Sequence, residues 1–206
     1  MSGRKGIKII KMIDKILASL KENQKALSEL VKAEHTHKSI LRIAKEIAQC
    51  FENEGKLLIC GNGGSAADSI HFAEELVGRF RKDRVALPAL ALTDPAFLTC
   101  VANDYGFEHV FSRGVEAFGK SGDILIGIST SGNSDNVVLA AGKARELNMK
   151  VFGLLGRDGG ELKKFCDQSL IVPANKTDRI QEIHGLMIHI IIEMVERIMF
   201  PENYRD

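Results

Sequence analysis

The chain has 206 residues, 45% hydrophobic and 27% charged, proportions that suit a globular protein with a full core. Lysine and arginine number 28 against 27 acidic residues, a formal charge of +1, so no bulk field draws the protein to nucleic acid or to a membrane surface. The four cysteines (Cys50, Cys60, Cys100, Cys166) lie far apart in or beside apolar runs, which excludes a C-x-x-C pair and suits reduced, mostly buried thiols in the cytoplasm.

The basic N-terminus, MSGRKGIKIIKMIDKILASLK, has the charge of a targeting segment but not its pattern. Ile9, Met12, Ile13, Ile16, Leu17 and Leu20 are spaced as a helical stripe, and Asp14 and Glu22 argue against a transit peptide. The stripe therefore reads as a surface or oligomer helix rather than one lying on a membrane. No apolar run approaches the ~18 residues needed to cross a bilayer.

Two helical patterns open the chain, at about 7–33 and 36–54. Five apolar runs follow: KLLIC (56–60), LPALAL (87–92), DILIGIS (123–129), KVFGLL (150–155) and SLIVPA (169–174). Helical stretches separate them at about 66–80, 95–118, 133–147 and 159–166, and a long helix at about 177–199 closes the chain. Short runs that are apolar throughout suit strands buried on both faces. Strand alternating with helix predicts an α/β, doubly wound, five-stranded parallel sheet flanked by helices. The whole of 1–206 reads as one domain, a helical pair over 1–54 followed by an α/β core over 55–200.

In such a sheet, ligands bind outside the carboxyl ends of the strands. After the first run comes GNGGSAADS (61–69), where glycines permit a tight turn, Ser65 can cap the next helix, and the helix N-terminus favours an anion. Gly61-x-Gly63-x-x-Ala66 also matches a dinucleotide fingerprint, with Asp94 as the ribose-binding acid, somewhat farther along than the usual spacing. After the third run comes STSGNSDN (129–136), in which Ser129, Thr130, Ser131 and Ser134 surround Gly132 at a helix start. Hydroxyls and backbone amides there make a neutral cradle for a phosphate monoester, against the plainer reading of a capped turn. A dinucleotide leaves this second loop unexplained.

The helix from the first loop carries Asp68, His71, Glu75 and Arg79; His71 and Glu75, four apart, share one face. Such a pair is often only a solvated surface pair. In the last helix, however, Gln181 and His189 lie about 80° apart around the wheel, with Gly185 between them on the same stripe. His184 falls on the other side of Gln181 and reads as structural.

These blocks together carry a resemblance. CGNGGSAADSIHFAEELVGRF, LPALALTDPAFLTCVANDYGFEHVFSRGVEAFG, GDILIGISTSGNSDNV and TDRIQEIHGLMIH are similar, in that order, to the phosphoheptose isomerases of the sugar isomerase (SIS) domain superfamily. The resemblance implies conversion of sedoheptulose 7-phosphate to D-glycero-D-manno-heptose 7-phosphate, towards heptose for bacterial surface polysaccharide, by a cytoplasmic homotetramer with shared active sites. It implies that Glu75 and His189 form the catalytic acid–base pair and that Ser129, Thr130, Ser131 and Ser134 bind phosphate. By the same resemblance Asn62, Gly63, Gly64, Ser65, Asn103, Asp104, Asp178 and Gln181 contact the sugar, and Arg79 is a pocket or interface residue. It also implies a zinc site at His71, Glu75, Gln181 and His189, and no nucleotide cofactor.

The chemistry suits these residue types, because aldose–ketose isomerisation moves a proton between adjacent carbons and needs a base there and donors for the developing oxyanion. Two other readings compete: another phosphosugar isomerase, or a non-catalytic SIS-domain regulator that binds a replication initiator. Such regulators lose the carboxylate at the Glu75 position and the imidazole at the His189 position. This chain keeps both.

Overall fold

The computed structural model describes residues 2–205, with side chains from residue 11 onward. Two helices, α1 (Ser2–Lys32) and α2 (Glu34–Glu52), meet at Ala33, where φ −87° and ψ 83° break the helical path. Strand and helix then alternate through β1 (Leu57–Gly61), α3 (Gly64–Val77), β2 (Ala89–Ala91), α4 (Pro95–Tyr105), α5 (Val110–Phe118) and β3 (Ile124–Ser129). The chain continues through α6 (Asp135–Glu146), β4 (Lys150–Gly156), β5 (Gln168–Val172) and α7 (Thr177–Met199).

The five strands are all parallel in the order β2-β1-β3-β4-β5. From β1 the chain winds outward to β2, then returns to β3 on the other side and winds the opposite way. The connections leaving β1 and β3 therefore diverge at their carboxyl ends, and the crevice between them is where such sheets take ligands.

Alternation along the strands divides the core between the two faces. Leu57, Ile59, Ile124, Ile126, Ile128, Phe152 and Leu154 point to the side covered by α2, α3 and α7. Leu58, Cys60, Leu125, Val151 and Leu155 point to the side covered by α4, α5 and α6. Helix α2 buries Ile40, Ile43, Ala44 and Ile47, one stripe at helical spacing, and each such isoleucine contributes about 1.5–3 kcal/mol of apolar transfer.

Several expected boundaries move, each for a local reason. The helix expected over 95–118 is divided at Gly106, whose φ of +96° no right-handed helix accommodates. The stretch expected as helix over 159–166 is a turn followed by one 3-10 segment, Leu162–Phe165, because Gly159 and Gly160 both take positive φ (+93° and +54°). The expected strand over 87–92 pairs only through Ala89–Ala91 at the sheet edge. Helix α3 ends at Val77 with Gly78 as its C-cap, so Arg79 lies beyond the helix that was expected to carry it.

Of the expected N-terminal stripe, the Ile9 side chain lies outside the described residues. Met12, Ile13, Ile16, Leu17 and Leu20 are all exposed. Cys50 and Cys60 are buried and Cys166 half-buried, but Cys100 is exposed, which corrects the expectation for that one thiol.

Candidate active site

The β3–α6 loop is held open by its own backbone. Gly132 takes φ +68°, and its N–H donates to Ser129 Oγ at 3.1 Å. Ser129 Oγ lies 2.9 Å from Ser134 Oγ, so Ser134, although at the N-cap of α6, turns its hydroxyl to the loop and does not cap the helix. Ser131 Oγ accepts from Asn133 N at 3.1 Å, and Asn133 Oδ1 in turn accepts from Glu161 N at 2.9 Å. The loop thus rests on the Gly159–Glu161 turn, with the seryl hydroxyls and Thr130 gathered where α6 begins. Free first-turn amides and a positive helix end suit an anion there.

The loop after β1 is tied to the same place. Asn62 and Asn136 exchange two amide hydrogen bonds, at 2.8 and 2.9 Å, across the switch point. The residue spacing gives Asn136 no role; its burial and its pairing with Asn62 do. Gly63 is the N-cap of α3, with φ +55° and no side-chain cap, so Ser65 does not cap the helix as expected. Ser65 is instead buried in the first turn, and its carbonyl accepts from Ser69 Oγ. A Cβ on Gly64 would fall 2.6 Å from the Gln181 amide, so only glycine lets α7 approach the start of α3 this closely.

Down α3 and α7 a second group converges. One ligand atom each from His71, Glu75 and His189 lies within 4.8 Å of the others. His71 Nε2 is 2.8 Å from His189 Nε2, and 3.9 Å from Glu75 Oε1. His71 Nδ1 lies 3.0 Å from Glu74 Oε1; as a donor to that carboxylate it leaves its Nε2 lone pair to face His189. A Cβ built on Gly185 would meet nothing within 4 Å, so the face of α7 between Gln181 and His189 is open.

Asp68 lies on the same side of α3. Its Oδ2 is buried without a hydrogen-bond partner, and desolvation raises its carboxyl pKa against the opposing pull of His71. Nothing in the residue spacing reveals an orphaned oxygen of this kind.

His184 is fully buried, and its Nε2–H donates to Leu155 O at 3.0 Å. Desolvation lowers its pKa to about 4, partly opposed by that hydrogen bond, so it is a neutral structural imidazole at physiological pH.

Other candidates stand apart. Asn103 and Asp104 are exposed at the end of α4, where the Asn103 amide donates to Asp104 Oδ1 at 2.8 Å. Asp178 pairs with Arg179 at 2.8 Å, and the guanidinium holds its carboxyl below the ordinary carboxylate range. Arg79 is exposed and makes no hydrogen bond or ion pair among the described residues. Asp94 is the N-cap of α4, accepting from Phe97 N at 2.7 Å, so the carboxylate that the dinucleotide reading requires is already committed to the backbone. Burial pushes the thiols of Cys50, Cys60 and Cys166 up to about 11, 12 and 12, which makes them poor nucleophiles.

Comparison with known proteins places the family and the fold. The SIS domain family model matches residues 9–156. The phosphoheptose isomerase of Fusobacterium nucleatum is 53% identical over 189 residues, covering 92% of this chain and 97% of that protein. The solved phosphoheptose isomerase from Neisseria gonorrhoeae superposes with a TM-score of 0.84 at 44% identity, over 90% of this chain and 98% of that one. The one from Francisella tularensis gives 0.87 at 38% identity with the same coverage. The chain belongs to the SIS domain family and, within it, to the phosphoheptose isomerases.

Proposed function

We propose that the protein interconverts sedoheptulose 7-phosphate and D-glycero-D-manno-heptose 7-phosphate, in the cytoplasm, as a step towards surface heptose. The observation that carries this reading is the meeting of Glu75 and His189, from two different helices, in a chain so similar to phosphoheptose isomerases. In this reading Ser129, Thr130, Ser131 and Ser134 donate to the phosphate, with the start of α6 supplying amides and a favourable dipole. Asn62, Gly63, Gly64, Ser65, Asn103, Asp104, Asp178 and Gln181 direct the sugar hydroxyls, and Arg79 borders the pocket or a subunit contact.

Glu75 then takes the proton from the carbon beside the carbonyl and returns it to the neighbouring carbon. His189 moves the oxygen-bound proton, so the enediol forms without free charge. Each proton leaves one carbon or oxygen and reaches the other, so no oxidant or nucleotide cofactor is needed.

The same residues fit a zinc ion. Two imidazole Nε2 atoms and a carboxylate converge, and the His71 Nδ1 contact to Glu74 is the outer hydrogen bond that commonly orients a metal-bound histidine. His71, Glu75 and His189 would hold it with the Gln181 amide as fourth donor, and it would supply Lewis-acid polarisation of the carbonyl. A carboxylate that ligates a metal is a weaker base, so a bound zinc would divide Glu75 between the two tasks.

A homotetramer with shared sites is part of the proposal. The exposed α1 stripe and the exposed His189 support it, since both are left uncovered by the single chain. The deciding experiment is a coupled assay of the purified protein with sedoheptulose 7-phosphate. Formation of the aldose phosphate is the expected result; an inactive, folded protein, with or without added zinc, would overturn the assignment.

A further inference from the structure

Between α3 and β2 the chain buries an arginine. Arg84 Nε donates to Glu196 Oε1 at 2.9 Å, Nη2 to the Glu75 carbonyl at 2.8 Å, and Nη1 to the carbonyls of Gly78 and Val85 at 2.7 and 3.1 Å. The side chains of Arg84 and Glu196 are 1% and 2% exposed, and the second Glu196 oxygen accepts from Tyr204 Oη at 2.6 Å. Glu75 and Gly78 are at the C-terminal end of α3, where carbonyls lack helical partners and carry partial negative charge. One guanidinium thus satisfies that end of α3 and fastens it to a carboxylate of α7.

The place on α7 matters. Glu196 follows His189 by seven residues, two helical turns on the same face, and Glu75 follows His71 by one turn on α3. Helices α3 and α7 are therefore joined at three levels: Gly64 against the Gln181 amide, His71 against His189, and the Glu75 main chain to Glu196 through Arg84. The lowest level is the one that sets where the Glu75 backbone stands relative to the His189 helix. By contrast Arg81–Glu193, on the same side, has an arginine half exposed to water, where an ion pair orders little.

We propose that Arg84 is a positioning residue for the isomerase reaction. Backed by Glu196 and Tyr204, it holds the Glu75 carboxylate in register with His189. This rests on the reading of Glu75 and His189 as the acid–base pair. Lysine cannot replace it, because one ammonium does not present the planar fork that reaches two carbonyls and a carboxylate together.

Arg84→Lys and Tyr204→Phe test the idea, each measured for kcat, KM and inhibition by inorganic phosphate, with circular dichroism as the folding check. Expected for Arg84→Lys is a kcat about 10–100-fold lower, the scale of an ångström-level misplacement. KM and the phosphate inhibition constant should stay within about 2-fold, since the β3–α6 cradle is untouched. Tyr204→Phe should show a smaller loss of the same kind. Imidazole ¹⁵N spectra give a readout that needs no turnover: signals of His71 and His189 should move in both variants, while His184, held by Leu155 on the sheet, should not. Wild-type kcat in folded Arg84→Lys, KM and phosphate inhibition worsening in step with kcat, or unmoved His71 and His189 signals would each overturn the proposal. If Arg84→Lys does not fold, Tyr204→Phe decides by the same criteria. An inactive wild type would overturn the functional reading instead, and the imidazole signals alone would then decide the positioning.

Discussion

At the residue scale, chemistry separates groups that look alike in the sequence. Glu74 and Glu75 are neighbours on α3, yet Glu74 contacts His71 Nδ1 from outside while Glu75 stands with His71 Nε2 and His189. Glu75→Gln keeps the shape and removes the carboxylate proposed as the base, so turnover should fall by about 10²–10⁴-fold with phosphate inhibition unchanged. Near-normal turnover in that variant would take Glu75 out of the mechanism. The two histidines of α7 separate in the same way, His189 exposed beside the carboxylate and His184 sealed against Leu155. His184 has a folded pKa of about 4 against an ordinary 6.5, so between those values the unfolded chain binds more protons than the folded one. Stability must therefore rise with pH through that window and be lost as pH falls from about 6.5 towards 4. From pH 7 to pH 5 the loss from this one group is about 2 kcal/mol. Urea unfolding of wild type and His184→Met at the two pH values checks it, because the variant should lack that share of the dependence.

At the scale of the element, Gly132 shapes the loop after β3 by what it leaves out. A Cβ on Gly132 would fall 2.0 Å from the Gly159 carbonyl oxygen, at a φ of +68° that side chains already disfavour. Gly132→Ala should therefore push the seryl loop off the Gly159–Glu161 turn and cost about 1–3 kcal/mol of stability. KM for the sugar phosphate and the phosphate inhibition constant should both rise at least ~10-fold, the loss of one charge-assisted hydrogen bond. An alanine variant with wild-type phosphate inhibition would show that the cradle lies elsewhere. Much of this was legible in the sequence. Apolar runs such as DILIGIS and KVFGLL announce strands covered on both faces, and the glycine and serine clusters after the first and third runs mark the switch point. The helix break at Gly106 was hidden, because a lone glycine inside a helical pattern does not declare a positive φ. The Arg84–Glu196 pair was hidden for another reason. The two residues lie 112 positions apart, each among other charges, and read as solvated until the fold buries them.

At the scale of the whole molecule, the single chain leaves apolar surface uncovered. Met12, Ile13, Ile16, Leu17 and Leu20 of α1 are 48–63% exposed. Their spacing keeps them on one side of the helix, as for helices that pack on one another. No helix among the described residues is long and apolar enough to cross a membrane. Burying each of these side chains would contribute about 1.5–3 kcal/mol, ample for stable association between copies. Replacing Ile16 and Leu20 by glutamate puts charge into that seam, where leaving it unpartnered is costly. The double variant should elute as a smaller species than the wild-type protein by light scattering, with the α/β core still folded by circular dichroism. If the sites are shared, isomerase activity should fall with the mass and recover in neither dilute nor concentrated solution. Unchanged mass would show that α1 does not build the assembly. Full activity in the smaller species would show that one chain holds every residue the reaction needs, and that the exposed face of His189 requires no second copy to close it.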